Sequence, residues 1–144
     1  MFRSSHVVWK GSGPEGSGTI TTQSGAFHDQ PYSTKMRFQS EDGKAGTNPE
    51  ELIAAAHASC FSMALAFQLT GAGHPPESLE TDAKVEIVKG DAGWSIPSIK
   101  LTVVARVPGI DAAKFQELAT NAKNGCPISK ALASVPISLD AKLA

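Results

Sequence analysis

The chain is poor in cysteine, in net charge and in uninterrupted apolar sequence. Its 144 residues contain 2 cysteines, Cys60 and Cys126. They lie 126 − 60 = 66 positions apart with no second pair, which excludes a zinc ribbon and a CxxC redox motif. The 13 Lys and Arg nearly balance the 14 Asp and Glu, for a net charge of −1. They are scattered, with no long block of one sign, so there is no electrostatic reason to expect nucleic acid or an anionic membrane as partner. No apolar run reaches the length of a bilayer span without polar interruption; the longest candidate carries His57, Ser59, Ser62 and Gln68. The opening "MFRSSHVVWKG" lacks the apolar centre of a signal peptide. These absences together point to a cytoplasmic protein, where two cysteines do not serve as a permanent staple.

The length suggests one domain over residues 1–144. "SHVVWKGSG" reads as a strand, "GTITTQSG" (18–25) as a second, and "STKMRFQS" (33–40) as a third with Met36 and Phe38 on one face. "EDGKAGT" is a turn-rich link into a helix. The helix start is well marked in "NPEELIAAAHASCFSMALAFQLTG" (48–71): Asn48 suits the N-cap and Pro49 the first helical position. Glu51 stands at capping-box spacing from Asn48, and Gly71 is placed to stop the helix. Its interior mixes six alanines with Leu, Ile, Phe and Met. That composition predicts a central helix buried all round, and in so short a chain it invites a partner chain. Residues 81–109 read as a long hairpin turning at "KGDAG", 111–125 as an amphipathic helix capped by Asp111, "CPISKALA" as a short helical turn, and "VPISLDAKLA" as a closing strand. The order is β3-α-β2-α-β, an α+β domain.

Cys60 sits near the middle of the apolar helix. A free cysteine there packs as a small hydrophobe by default. The helix dipole, which acts over the first turn, gives it no help. A reactive thiolate at this depth therefore needs a cation from another segment, because an apolar pocket raises a thiol pKa. Arg37 is the leading candidate, against the plain reading of a solvated arginine. Held by a carboxylate and aimed at Cys60, it would stabilise the thiolate and hydrogen-bond a polar substrate oxygen. Glu51 being used in the cap, Glu50 is the spare acid. Ten residues of helix put Glu50 and Cys60 roughly 15 Å apart along the axis, so Glu50 would act through Arg37 or in the site of a second subunit.

His57 is three residues before Cys60 and shares its face. It is either a packed helix histidine or half of a Cys–His pair of the thiol-hydrolase kind. A zinc site from His57, Cys60 and Cys126 would need a fourth ligand or water, and no paired spacing supports it. Cys126, in "GCPIS", opens a helical turn just before Pro127, a position that favours thiolate, or is simply a cap. One thiol within a helix and one at a junction match a peroxidatic and resolving pair. The first is oxidised to a sulfenic acid and the second condenses with it to a disulfide. An external thiol then resets the pair.

The two cysteine motifs in this order, "NPEELIAAAHASCFSMAL" and "GIDAAKFQELATNAKNGCPISKAL", with "VVWKG", "TITTQSG", "MRF" and "DAGW" around them, resemble the OsmC/Ohr family (osmotically inducible protein C and organic hydroperoxide resistance protein). The resemblance runs over nearly the whole chain. It implies a thiol-dependent peroxidase that reduces organic hydroperoxides and, less efficiently, hydrogen peroxide, in defence against oxidative stress. It implies Cys60 as peroxidatic thiol, Cys126 as resolving thiol, and an Arg37–Glu50 pair. The arginine in the "RF" strand and "AAHASC" are similar to the OsmC branch rather than the Ohr branch. The resemblance also implies an intertwined homodimer with the Cys helices at its centre and two interface sites. It implies reduction by an external dithiol, such as a lipoyl-bearing protein. No haem, flavin or metal cofactor is implied. The contrasting readings are a Cys–His acyl or thioester hydrolase using Cys60 and His57, and a non-catalytic dimer whose thiols only pack.

Overall fold

The Val-, Trp- and Thr-rich stretches at the start of the chain form strands, as their composition predicts. A computed structural model describes residues 1–144, which separate into two compact units, Met1–Leu52 and Ile53–Ala144. In the first unit, β1 (Ser5–Lys10), β2 (Ser17–Thr22) and β3 (Gln30–Ser33) make an antiparallel sheet in the order β1-β2-β3. Gly18 of the middle strand lies opposite Trp9 on one side and Tyr32 on the other. The Trp9 and Tyr32 rings meet, with centroids 5.3 Å apart. A Cβ at Gly18 would strike the Val8 carbonyl oxygen and the Tyr32 ring, so this position needs glycine for the strands and rings to close up. Ile20 is the only buried apolar side chain of this unit, and all of β1 is exposed.

The strand expected over 33–40 is not formed. Its place is taken by the end of β3 and a short helix, α1 (Thr34–Phe38). The reason is Ser33. Its backbone is extended, and its hydroxyl accepts the Met36 N–H at 3.1 Å, an N-cap that turns the chain from strand into helix. A two-residue alternation over four residues fits either structure, and the cap decides between them.

Helix α2 (Pro49–Gly71) begins as predicted. Asn48 Oδ1 accepts the Glu51 N–H at 2.9 Å. The Glu51 carboxylate does not reach back to complete a capping box; it accepts the Thr47 hydroxyl at 2.8 Å. The helix ends at Gly71 as expected, and the chain is turned out of it two residues later. Gly73 has φ +85°, its N–H donates to the Thr70 carbonyl at 3.0 Å and that of His74 to the Leu69 carbonyl at 2.9 Å, a Schellman closure that favours glycine.

His57, Phe61, Leu65 and Leu69, four residues apart, form the buried stripe of α2, while Ala55, Ala56, Ser59, Met63 and Phe67 are exposed. Within the chain, burial all round is therefore replaced by burial of one stripe. By length and composition α2 could also cross a membrane, with a mean hydropathy of 1.6 over its most apolar window, yet it supplies Phe61, Leu65 and Leu69 to the main core.

That core belongs to the second unit. The predicted hairpin is present as β4 (Ser78–Val85) paired antiparallel with β7 (Ile99–Arg106), from Ser78 opposite Arg106 to Val85 opposite Ile99. Its tip is a separate two-stranded ribbon, β5 (Val88–Gly90) with β6 (Gly93–Ser95), around the predicted turn. Pro97, which has no N–H for a ladder, falls in the break between β6 and β7. Strand β7 alternates cleanly, with Ile99, Leu101, Val103 and Ala105 buried. Helix α3 (Ala112–Gly125) is capped by Asp111, whose carboxylate accepts the Lys114 N–H at 2.9 Å. It buries one stripe, Phe115, Leu118, Ala119 and Ala122, as an amphipathic helix does. Helix α4 (Pro127–Ala131) follows at once, and β8 (Ile137–Leu143) returns parallel to β7, giving the sheet order β4-β7-β8. The architecture is α+β, with α1 and the β5–β6 ribbon added to the predicted order.

Candidate active site

The first unit places Arg37 against Glu50. Arg37 lies in the last turn of α1 and Glu50 in the first turn of α2. The caps at Ser33 and Asn48 fix both turns, and the two side chains meet as a fork. Arg37 Nε donates to Glu50 Oε2 at 3.1 Å and Nη2 to Oε1 at 2.6 Å. The guanidinium also stands over the Phe38 ring, 4.7 Å from its centroid. Glu50 is buried while Arg37 stays partly exposed. The two adjacent acids of "NPEE" are thus divided: Glu51 is exposed and spent on Thr47, and Glu50 is buried and spent on Arg37.

The second unit brings the two cysteines together. Cys126 ends α3, its N–H donating to the Ala122 carbonyl at 2.9 Å, and also stands at the N-cap of α4 with Pro127 behind it. A residue that caps two helices has little freedom, so its sulfur is well placed. Its Sγ lies 2.9 Å from Cys60 Sγ, and both are free thiols. A disulfide needs about 2.05 Å, so closing the bond takes roughly 0.9 Å of movement. Cys126 is fully buried; Cys60 is partly accessible.

The two thiols titrate in opposite directions. Burial pushes Cys60 above its ordinary value of 9.0, and the shared hydrogen bond with Cys126 adds to the rise. Burial also pushes Cys126 up, but hydrogen bonding from Cys60, from the Ser129 N–H and hydroxyl and from the Ile128 N–H outweighs it and leaves Cys126 lowered. The direction at Cys126 follows from the donors that surround it at its cap. Access and charge therefore fall on different sulfurs: the reachable one is Cys60, the more readily ionised one Cys126.

His57 does not pair with either thiol through a hydrogen bond. Its Nε2 lies 2.8 Å from Ser129 Oγ, both residues being buried, and its Nδ1 is buried without a partner. Burial lowers its pKa by disfavouring the charged ring. No hydrogen bond joins the ring to Cys60 or Cys126, so the two side chains do not form the nucleophile–base contact of a Cys60–His57 hydrolase pair. No group of three or more His, Cys, Asp or Glu side chains is arranged to hold a metal ion.

Sequence reasoning placed Cys60, Cys126, Arg37 and Glu50 as candidates, and the structure joins them as two pairs. It missed Ser129. The signal was present in "CPIS": the third residue after an N-cap has its N–H and side chain beside the cap side chain.

The family model of OsmC-like proteins matches residues 41–140. The chain is 48% identical over 143 residues to peroxiredoxin OsmC of Escherichia coli K12, covering 99% of this chain and 97% of that protein. It is 32% identical over 126 residues to organic hydroperoxide resistance protein OhrB of Bacillus subtilis 168, covering 87% and 89%. The crystal structure of B. subtilis OhrB superposes with a TM-score of 0.68 at 28% identity, covering 98% of each chain. An OsmC-like protein from Mycoplasma pneumoniae reaches a TM-score of 0.77 at 12% identity, covering 100% and 98%, a likeness of fold alone.

Proposed function

Because the chain belongs to the OsmC-like family, we propose that it is a thiol-dependent peroxidase of hydroperoxide defence, acting on organic hydroperoxides and less efficiently on hydrogen peroxide. The names of its relatives, peroxiredoxin and organic hydroperoxide resistance protein, support the class of activity. The observation that carries the reading is the pair of free thiols 2.9 Å apart. A packing role alone gives no reason for two reduced sulfurs at that distance.

In the proposed cycle the Cys60 thiolate attacks the peroxide O–O bond. One oxygen stays on sulfur as a sulfenic acid, and the other leaves as alkoxide and takes a proton to become the alcohol. Cys126 then displaces the hydroxyl of that sulfenic acid, forming the Cys60–Cys126 disulfide and water. An external dithiol, of which a lipoyl-bearing protein is one kind, reduces the disulfide through a mixed disulfide. Cys60 takes the peroxidatic role because it is the accessible sulfur. Its raised pKa calls for a cation, and Arg37, oriented by Glu50, is assigned to stabilise the thiolate and the peroxide oxygen. The proposed working form is an intertwined cytoplasmic homodimer, each chain a single OsmC-like domain over 1–144. The exposed Met63 and Phe67 of α2 support the partner chain.

The test is thiol counting. One equivalent of an alkyl hydroperoxide should remove both free thiols, and dithiothreitol should restore them. Full peroxidase activity in Cys60→Ser would sink the reading.

A further inference from the structure

Helices α2 and α4 meet in a two-rung ladder. His57 and Cys60 are three residues apart on α2, and Cys126 and Ser129 are three apart at the start of α4. Each pair therefore presents its side chains on one helix face. Cys60 meets Cys126 at 2.9 Å, and His57 Nε2 meets Ser129 Oγ at 2.8 Å. His57 and Ser129 are buried, and Nδ1 of the ring has no partner. A buried polar atom without a partner is destabilising, so an apolar side chain would fill this place at lower cost. The histidine is explained by its one bond, to Ser129. A neutral ring has one N–H. Placed on Nε2 it donates to Ser129 Oγ and leaves Nδ1 as a bare acceptor, a less costly orphan than a bare N–H. The Ser129 hydroxyl proton is then directed away from His57, on the helix face that also carries Cys126.

We propose that the His57–Ser129 hydrogen bond is a positioning clamp for the resolving step, holding α4 against α2 so that Cys126 stands within bond-forming reach of Cys60 before any oxidation. The inference rests on the peroxidase reading and deepens it. In the step concerned, the Cys126 sulfur attacks the Cys60 sulfenic sulfur. The S–S bond forms, the S–O bond breaks, and the Cys126 proton leaves with the hydroxide as water, with no further oxidant consumed. The competing step is attack of a second peroxide on the same sulfenic acid, which makes an irreversible sulfinic acid. Holding the thiols together favours the first over the second by proximity.

The experiment compares the whole protein with Ser129→Ala, Ser129→Thr, His57→Leu and His57→Gln. Each is challenged with increasing tert-butyl hydroperoxide in the presence of dithiothreitol, and the sulfinic acid at Cys60 is read by intact mass. Ser129→Ala and His57→Leu should reach half-inactivation at about tenfold lower peroxide than the parent. Ser129→Thr and His57→Gln, which keep a hydroxyl and a side-chain N–H, should return to within about threefold. Loss of packing alone would not give this rescue by chemical type. Where Ser129→Ala does not fold, the His57 pair decides the matter. Parent-like sensitivity in the folded Ala or Leu variant overturns the clamp. A parent protein that forms no disulfide with the peroxide overturns the peroxidase reading instead.

Discussion

Arg37→Lys keeps the positive charge and removes the fork, so it tests whether geometry or charge alone is used. In the native pair, two charge-assisted hydrogen bonds join the guanidinium to Glu50, at 3.1 and 2.6 Å. A lysine ammonium makes at most one of them, as a point charge on a flexible stem. Hydrogen bonds to charged groups contribute about 1.5–3 kcal/mol each. The stability cost is smaller than that, because the Arg37 side chain is 34% exposed and water replaces part of the lost contact; about 1 kcal/mol is expected. The catalytic cost is larger if the guanidinium must face the thiolate and the peroxide oxygen in a fixed orientation. Loss of one oriented bond in the transition state then lowers kcat/KM by roughly 10- to 150-fold. The assay is single-turnover loss of the Cys60 thiol with an alkyl hydroperoxide, alongside thermal unfolding. A rate within twofold of the parent would refute the assignment of Arg37. So would a fall in rate that tracks the loss of folded protein.

Cys126→Ser should consume one equivalent of hydroperoxide to give the Cys60 sulfenic acid and a second, in excess peroxide, to give the sulfinic acid, both visible by mass, with turnover by a dithiol reduced at least about 100-fold. Leu65, fully buried in the core of the second unit, should lose about 2–5 kcal/mol on Leu65→Ala in urea unfolding, with an unchanged m-value. His57 has its pKa lowered from 6.5 by burial. The unfolded chain therefore binds a proton that the folded one refuses, and this contribution to stability, present above pH 6.5, is lost as pH falls from there toward the folded pKa. Urea titrations should show that acid-side loss in the parent and not in His57→Gln. Phe67→Glu, on the exposed face of α2, should shift the proposed dimer to monomer in sedimentation without unfolding it; an unchanged dimer would remove that face from the interface.

How legible the site was depends on the range of the interactions that build it. The division of labour between Glu50 and Glu51 could be read from capping chemistry, because a cap is set by neighbours in sequence: Asn48 binds the Glu51 N–H as expected. The partner of the Glu51 carboxylate, Thr47, was less legible, since a box and a Thr contact differ by one residue. Residues 33–40 misled for a similar reason, with Ser33 serving as the last residue of a strand and the cap of a helix. The Ser129–His57 bond was out of reach because its residues are 72 positions apart, and no local pattern records which α2 residue faces α4. The parallel pairing of β8 with β7 had the same character. The amphipathic α3 and the alternating β7 were readable because one face of each meets the core of its own chain.

The unequal burial of α2 sets a condition on the proposed dimer. Met63 is 61% exposed and Phe67 75%. Full burial of such side chains contributes about 1.5–3 kcal/mol each, so covering the remaining surface of both residues in both chains yields roughly 4–8 kcal/mol. Association costs about 4–15 kcal/mol in lost freedom. The α2 face alone is therefore too small to hold two chains together with a margin. The first unit offers a comparable resource: Val7, Val8 and Trp9 are all exposed, and its sheet buries Ile20 as its only apolar side chain. A sheet with almost no core of its own is stable only when another surface covers it. In the proposed dimer, the chain that covers α2 would also cover β1, and folding of the first unit and pairing of the two chains would then be one coupled event. On that logic a monomeric variant would lose the proposed peroxidase activity through the first unit, where the Arg37–Glu50 fork resides, before it disturbs the thiol pair of the second.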